Sequence, residues 1–161
     1  MKAKTKNSIL AISVGLVYLW FGMLKFFPNL SPAESLAKNT IHELTFGLIA
    51  DDIAIILLAI WEVGIGVLLI VNLFRRTTIL LALLHMVFTF TPLVFFPEET
   101  FNSGLLQLTL LGQYIMKNLI IIAALLILLE PQKKKIHSAS KAYGNSSEPV
   151  KFSWQKLLQR S

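Results

Sequence analysis

Four apolar runs of membrane-spanning length decide what this chain can fold into: Ile9–Phe27, Ile53–Phe74, Thr77–Phe96 and Leu105–Leu129. A hydrocarbon core about 30 Å thick takes roughly 20 helical residues to cross. The runs therefore predict an all-α, integral membrane four-helix bundle over residues 1–130, followed by a basic cytoplasmic tail over 131–161. Composition agrees. The chain is 55% hydrophobic and only 15% charged, where soluble domains carry about a quarter charged residues. It has no cysteine, which excludes disulfides, thiolate metal sites and dithiol redox chemistry within this chain.

A net charge of +6 raises nucleic acid as a partner, but the placement of the charges argues against it. Twelve of the 15 basic residues fall in three segments that share one side if the chain crosses four times. These are Lys2, Lys4 and Lys6, then Arg75 and Arg76, then the tail after the fourth run. The two opposite loops hold Lys38 against Glu34, Glu43, Asp51, Asp52, Glu98 and Glu99. The positive-inside rule then puts both termini in the cytoplasm of an inner-membrane protein, and membrane lipids are the expected partners of the basic segments. The first run is longer than the 7–15 residues of a signal-peptide core, so it reads as an uncleaved span.

Local signals fill in the rest. Trp20, Phe26 and Phe27 suit an aromatic belt, and Pro28 is expected to stop the first helix. Ser31, Pro32 and Glu34 have the spacing of a capping box. They predict a short surface helix on the outer side, with Leu36, Ile41, Leu44 and Leu48 inward; a plain loop is the other reading. Phe74–Thr77 is expected to turn tightly, Pro92 to kink or end the third helix, and Asn102 or Ser103 to cap the fourth. The end of the tail, with Phe152, Trp154, Leu157 and Leu158 among basic residues, is either leaflet-touching or disordered.

Glu62 lies in the middle of the second run, where a lone charge costs roughly 2.5–3.5 kcal/mol and calls for a partner or a task. Helical spacing puts Gly15, Tyr18, Gly22 and Lys25 on one face of the first helix. Ala59, Glu62, Gly66 and Leu69 share a face of the second, and Ala82, His85, Thr89 and Pro92 a face of the third. In the fourth, Gln113 and Lys117 are one turn apart, with Tyr114 and Asn118 beside them. Counted at about 1.5 Å per residue, Glu62, Lys117 and His85 lie near mid-membrane, whereas Lys25 falls near the outer surface and is expected to snorkel. Glu62 and Lys117 are thus the expected buried pair. Two readings stay open: a pair that sets helix register, or a site for a small amphipathic ligand or a proton. His42, His85 and His137 are too scattered to predict a metal site.

The segments GLVYLWFGMLKFFP (15–28), EVGIGVLLIVNLFRRTTILLALLHM (62–86) and KNLIIIAALLILL (117–129) resemble the DoxX and DoxX-like family of small four-helix membrane proteins, including its DoxD-related branch. The resemblance spans about residues 8–130. It implies a bundle in the cytoplasmic membrane associated with quinone-linked oxidoreductases or oxidative and sulfur stress. By matching position it carries over Lys25, Glu62, Lys117 and Asn118. The functional expectation is a small accessory subunit of a redox or stress-response complex that binds a quinone or lipid-like ligand. Glu62, Lys117, His85, Tyr18, Asn118 and Lys25 would bind it, with Trp61, Phe88 and Ile121 as apolar walls. No redox cofactor of its own is evident; quinone is the one candidate. A soluble oxidoreductase or another membrane subunit is the expected partner, and homo-oligomerisation stays open. The rivals are a non-catalytic membrane scaffold and a small proton-coupled transporter using Glu62.

Overall fold

The computed structural model describes residues 3–102 and 107–130. The tail from Pro131, and with it the expectations for Phe152, Trp154, Leu157 and Leu158, lies outside the described residues, as do Ser103 and Leu105. The described chain is helical, in the order α1 (Ala3–Leu24), α2 (Glu34–Leu44), α3 (Asp51–Val71), α4 (Arg75–Phe88), α5 (Pro92–Phe95), α6 (Pro97–Thr100), α7 (Leu110–Met116) and α8 (Asn118–Leu129). Four segments are long and apolar enough to cross a membrane: Lys4–Leu24, Asp51–Val71, Arg75–Phe95 and Leu110–Leu129. The protein is an all-α, multi-pass membrane bundle.

Its tightest seam joins α1 to α3, and glycine is the reason. A Cβ built on Gly66 would lie 2.7 Å from the Leu19 backbone nitrogen and 2.8 Å from the Gly15 carbonyl oxygen. One built on Gly22 would lie 2.9 Å from the Val63 nitrogen and the Glu62 Cβ. Without side chains at these points the two backbones touch, the way small residues let helices associate in lipid. The seam continues into a core of Val14, Tyr18, Ile65, Leu69, Ile79, Ala82 and Leu125.

This register has a consequence for depth. With Gly22 opposite Glu62 and Val63, the end of α1 at Leu24 sits level with about residue 60. At 1.5 Å per residue, α1 therefore stops about 13 Å short of the Asp51 end of α3. The recess above it is roofed by α2, which packs on α3 and α5. Pro28 is not the stop signal, since the helix ends at Leu24 and the chain winds through i→i+3 turns first.

Other boundaries also differ from expectation. Ser31 does not cap α2; the N-cap is Ala33, with no side-chain bond. Glu34 reaches back instead to accept from the Asn29 backbone N–H at 2.8 Å, which holds Asn29 in its left-handed conformation (φ 66°). Leu36 is buried as expected, but Leu48 falls beyond the helix end and is 86% exposed. The tight turn is Asn72–Phe74, not Phe74–Thr77. Asn72 takes the left-handed cap (φ 58°) and the Leu73 N–H donates to the Leu68 carbonyl at 3.0 Å, a helix-ending arrangement that frees Arg75 to begin α4.

Pro92 breaks the third span as expected. Because it has no N–H to donate, Phe90 and Thr91 tighten into i→i+3 bonds (Phe90 N–H to Val87 O and Thr91 N–H to Phe88 O, both 3.2 Å) before α5 resumes. The fourth span begins at Leu110, capped by Thr109, whose hydroxyl accepts from the Gly112 N–H at 3.1 Å. Asn102 is instead in a loop, its N–H donating to the Gln107 carbonyl at 2.7 Å.

Candidate functional site

The short end of α1 and the roof of α2 leave a cavity of about 480 Å³ inside the bundle. That is the size of a small-molecule site. Its walls are mostly apolar, from Phe21, Leu36, Ile41, Met86, Phe88 and Ile121. The six residues singled out in the sequence, Tyr18, Lys25, Glu62, His85, Lys117 and Asn118, all line it. Of the three expected walls, Phe88 and Ile121 belong to it; Trp61 does not, and is 41% exposed.

The expected pairing is corrected. Glu62 pairs with Lys25, not Lys117: Lys25 Nζ donates to Glu62 Oε2 at 2.6 Å, and the two side chains are 10% and 9% exposed. Lys25 does not snorkel. The α1–α3 register places it one helical turn above Glu62, below the end of α3, where the nearest charge is the carboxylate. Its ammonium also approaches the Phe21 carbonyl at 3.4 Å.

Around that pair runs a buried polar chain. His85 Nε2 faces Glu62 Oε1 at 3.5 Å, and His85 Nδ1 lies 3.3 Å from the Tyr18 hydroxyl. That hydroxyl donates to the Ala82 carbonyl at 3.1 Å. Three helices are thereby joined through four side chains, in an environment where satisfied polar networks specify one packing. Asn118 Nδ2 donates to Thr89 Oγ1 at 3.3 Å, tying α8 to the segment that Pro92 loosens.

Two groups at the cavity are left over. The Tyr114 hydroxyl is buried and has no hydrogen-bond partner among the described residues; its ring packs edge-on against Phe21 at 5.5 Å. An unmet buried hydroxyl costs about 1–3 kcal/mol. Lys117 has no acidic partner among the described residues, and its ammonium lies 5.8 Å from the centre of the Tyr114 ring. Lys117 is exposed on the bundle, where a cation–π contact contributes about 0.5–1 kcal/mol, and the ring is the one partner its ammonium has among the described residues. Tyr114 was missing from the sequence-derived ligand set, although its position one turn before Lys117 and Asn118 was a signal for it.

The roof is tethered by charges at the Asp51 end. Lys38 bridges Glu34 and Asp52, 3.2 Å from each, and His42 Nδ1 lies 3.2 Å from Asp51. Hydrogen bonds that the Lys38 ammonium donates to Asp52 and Glu34 raise its pKa above the usual lysine range. The raised value means that Lys38 stays charged through the usual lysine range, so its half of the tether is lost only as pH climbs past that range. Leu36, Thr40 and Ile41 face the cavity from this roof.

No protein-family model, curated protein or solved structure matches this chain.

Proposed function

We propose that this protein binds an amphipathic, quinone- or lipid-like molecule within its bundle, as a small membrane subunit of a redox or stress-response complex. The observation that carries the binding reading is the cavity itself: apolar walls, a few convergent polar groups, and a Tyr114 hydroxyl with no internal partner. Few polar groups in a mostly apolar recess are what fixes the orientation of an amphipathic ligand. The redox or stress-response assignment rests on the resemblance to DoxX proteins. Val17, Phe88, Lys117 and Ile120 line the cavity and are also exposed on the bundle. That supports entry from the bilayer rather than from water.

The test is mass-spectrometric identification of lipids and quinones co-purifying with the wild type and with Ala37→Trp, which fills the cavity from the roof. One amphiphile enriched over its abundance in the membrane, and lost in Ala37→Trp, is the expected result. Identical profiles matching the bulk membrane in both proteins would leave the scaffold reading ahead.

The orientation belongs to the same proposal: both termini cytoplasmic, with Ser31–Asp52 and Pro97–Ser103 on the outer side of the inner membrane. Single cysteines at Asn39, Asn102 and Ser146 should label with an impermeant maleimide in intact cells at the first two positions only. Labelling at Ser146 but not at Asn39 would reverse the orientation.

A further inference from the structure

We propose that the ligand of this cavity carries an anionic head group, a carboxylate or a phosphate on a single apolar chain, seated between Lys117 and the Tyr114 hydroxyl. The inference rests on the binding reading above and specifies the ligand's charge. It follows from how the charges of the cavity are distributed. Lys25 and Glu62 satisfy each other at 2.6 Å, so an anion placed beside them would meet the Glu62 carboxylate. Lys117 is outside ion-pair distance of Glu62 and has no carboxylate of its own among the described residues.

The geometry around Lys117 suits an anion. It lies seven residues into the span that starts at Leu110, about 10 Å along the helix, and is exposed on the bundle where the cavity opens beside Ile120. Its ammonium is drawn over the Tyr114 ring, and the hydroxyl on that ring is a buried donor with nothing to donate to. A cation and an unused O–H donor therefore share one wall of the cavity, and an oxyanion accepts from both, making the short, charge-assisted bonds that neutral acceptors do not. Phe88, Ile120 and Ile121 continue the same wall as apolar surface, a track for the chain. Ile120 is 75% exposed, so a chain longer than the cavity runs out into the bilayer. A neutral quinone or alcohol leaves the Lys117 charge unmatched.

The test compares head groups on one chain. The full-length protein in a non-ionic detergent is titrated with oleate, oleyl alcohol, oleoyl lysophosphatidate and oleoyl lysophosphatidylcholine, and the shift in melting temperature is followed by tryptophan fluorescence. A ligand that binds only the folded state raises that temperature with concentration. Oleate and lysophosphatidate are expected to bind at least tenfold more tightly than oleyl alcohol. The preference should vanish in Lys117→Gln, persist in Lys117→Arg, and weaken several-fold in Tyr114→Phe. A stronger response to lysophosphatidate than to oleate identifies phosphate as the better head group.

Equal stabilisation by oleate and oleyl alcohol in the wild type would overturn the charge assignment while leaving the binding reading intact. A charge preference that survives Lys117→Gln would overturn the role of Lys117. The wild-type comparison needs no variant to fold. No response to any amphiphile would sink the binding reading and this inference together.

Discussion

Lys25→Met is expected to destabilise the protein by about 3–5 kcal/mol, because it leaves the Glu62 carboxylate buried without its partner. Glu62→Gln should cost a similar amount for the converse reason, since Lys25 is only 10% exposed and has no other carboxylate within ion-pair distance among the described residues. Removing both charges removes both penalties. The double variant should therefore recover most of the loss, giving a strongly non-additive double-mutant cycle. The control is Lys117→Met combined with Glu62→Gln. Those side chains are not paired, so their effects should add. Unfolding by a denaturing detergent titrated into mixed micelles reads the wild type and all five variants. Additive losses for Lys25 and Glu62, or recovery in the Lys117 combination, would show that the carboxylate's partner has been misassigned.

That experiment also separates what hydropathy can report from what packing decides. The four spans, the buried faces of α3 and α4 and the break at Pro92 follow from composition, periodicity and a missing N–H, all of which are local. Ala59, Glu62, Gly66 and Leu69 share a buried face, and so do Ala82 and His85, because a 3.6-residue period is set by the backbone. The partner of Glu62 is not local. Depth arithmetic assumes that each span begins at the same membrane plane. Here the contacts at Gly15, Gly22 and Gly66 slide α1 along α3 and bring Lys25 below the Asp51 end. Once Lys25 takes the carboxylate, Lys117 is left over, so the most functional-looking charge in the cavity is the one that sequence reading had assigned a structural partner. The cap of α2 differs from its sequence signal for a related reason. Ser31 has the right spacing, but the chain is still turning there, and Glu34 serves the Asn29 N–H instead.

The slide itself can be tested at single glycines. Gly66→Ala should destabilise the protein by about 1–3 kcal/mol, the cost of forcing an extra carbon into a filled seam. The new Cβ meets backbone on three sides: the Leu19 nitrogen at 2.7 Å, the Gly15 oxygen at 2.8 Å and the Leu19 Cα at 3.1 Å. No side chain can rotate to make room. Gly64, two residues earlier on the same helix, has nothing within 4 Å of its Cβ. Gly64→Ala should be neutral or stabilising by roughly 0.5–1 kcal/mol, the ordinary gain of replacing glycine within a helix. Gly15→Ala should fall between them, because part of its clash is with the Ile70 side chain at 2.8 Å, which can move. Gly15→Ala and Gly66→Ala open the same seam, so the second should cost less once the first is in place. Pushing α1 away from α3 also stretches the 2.6 Å contact between Lys25 and Glu62. Gly66→Ala should therefore weaken the coupling between those two charges in a repeat of the cycle, whereas Gly64→Ala should leave it intact. Equal effects at Gly64 and Gly66 would mean that the seam does not set the register, and the depth of Lys25 would need another cause.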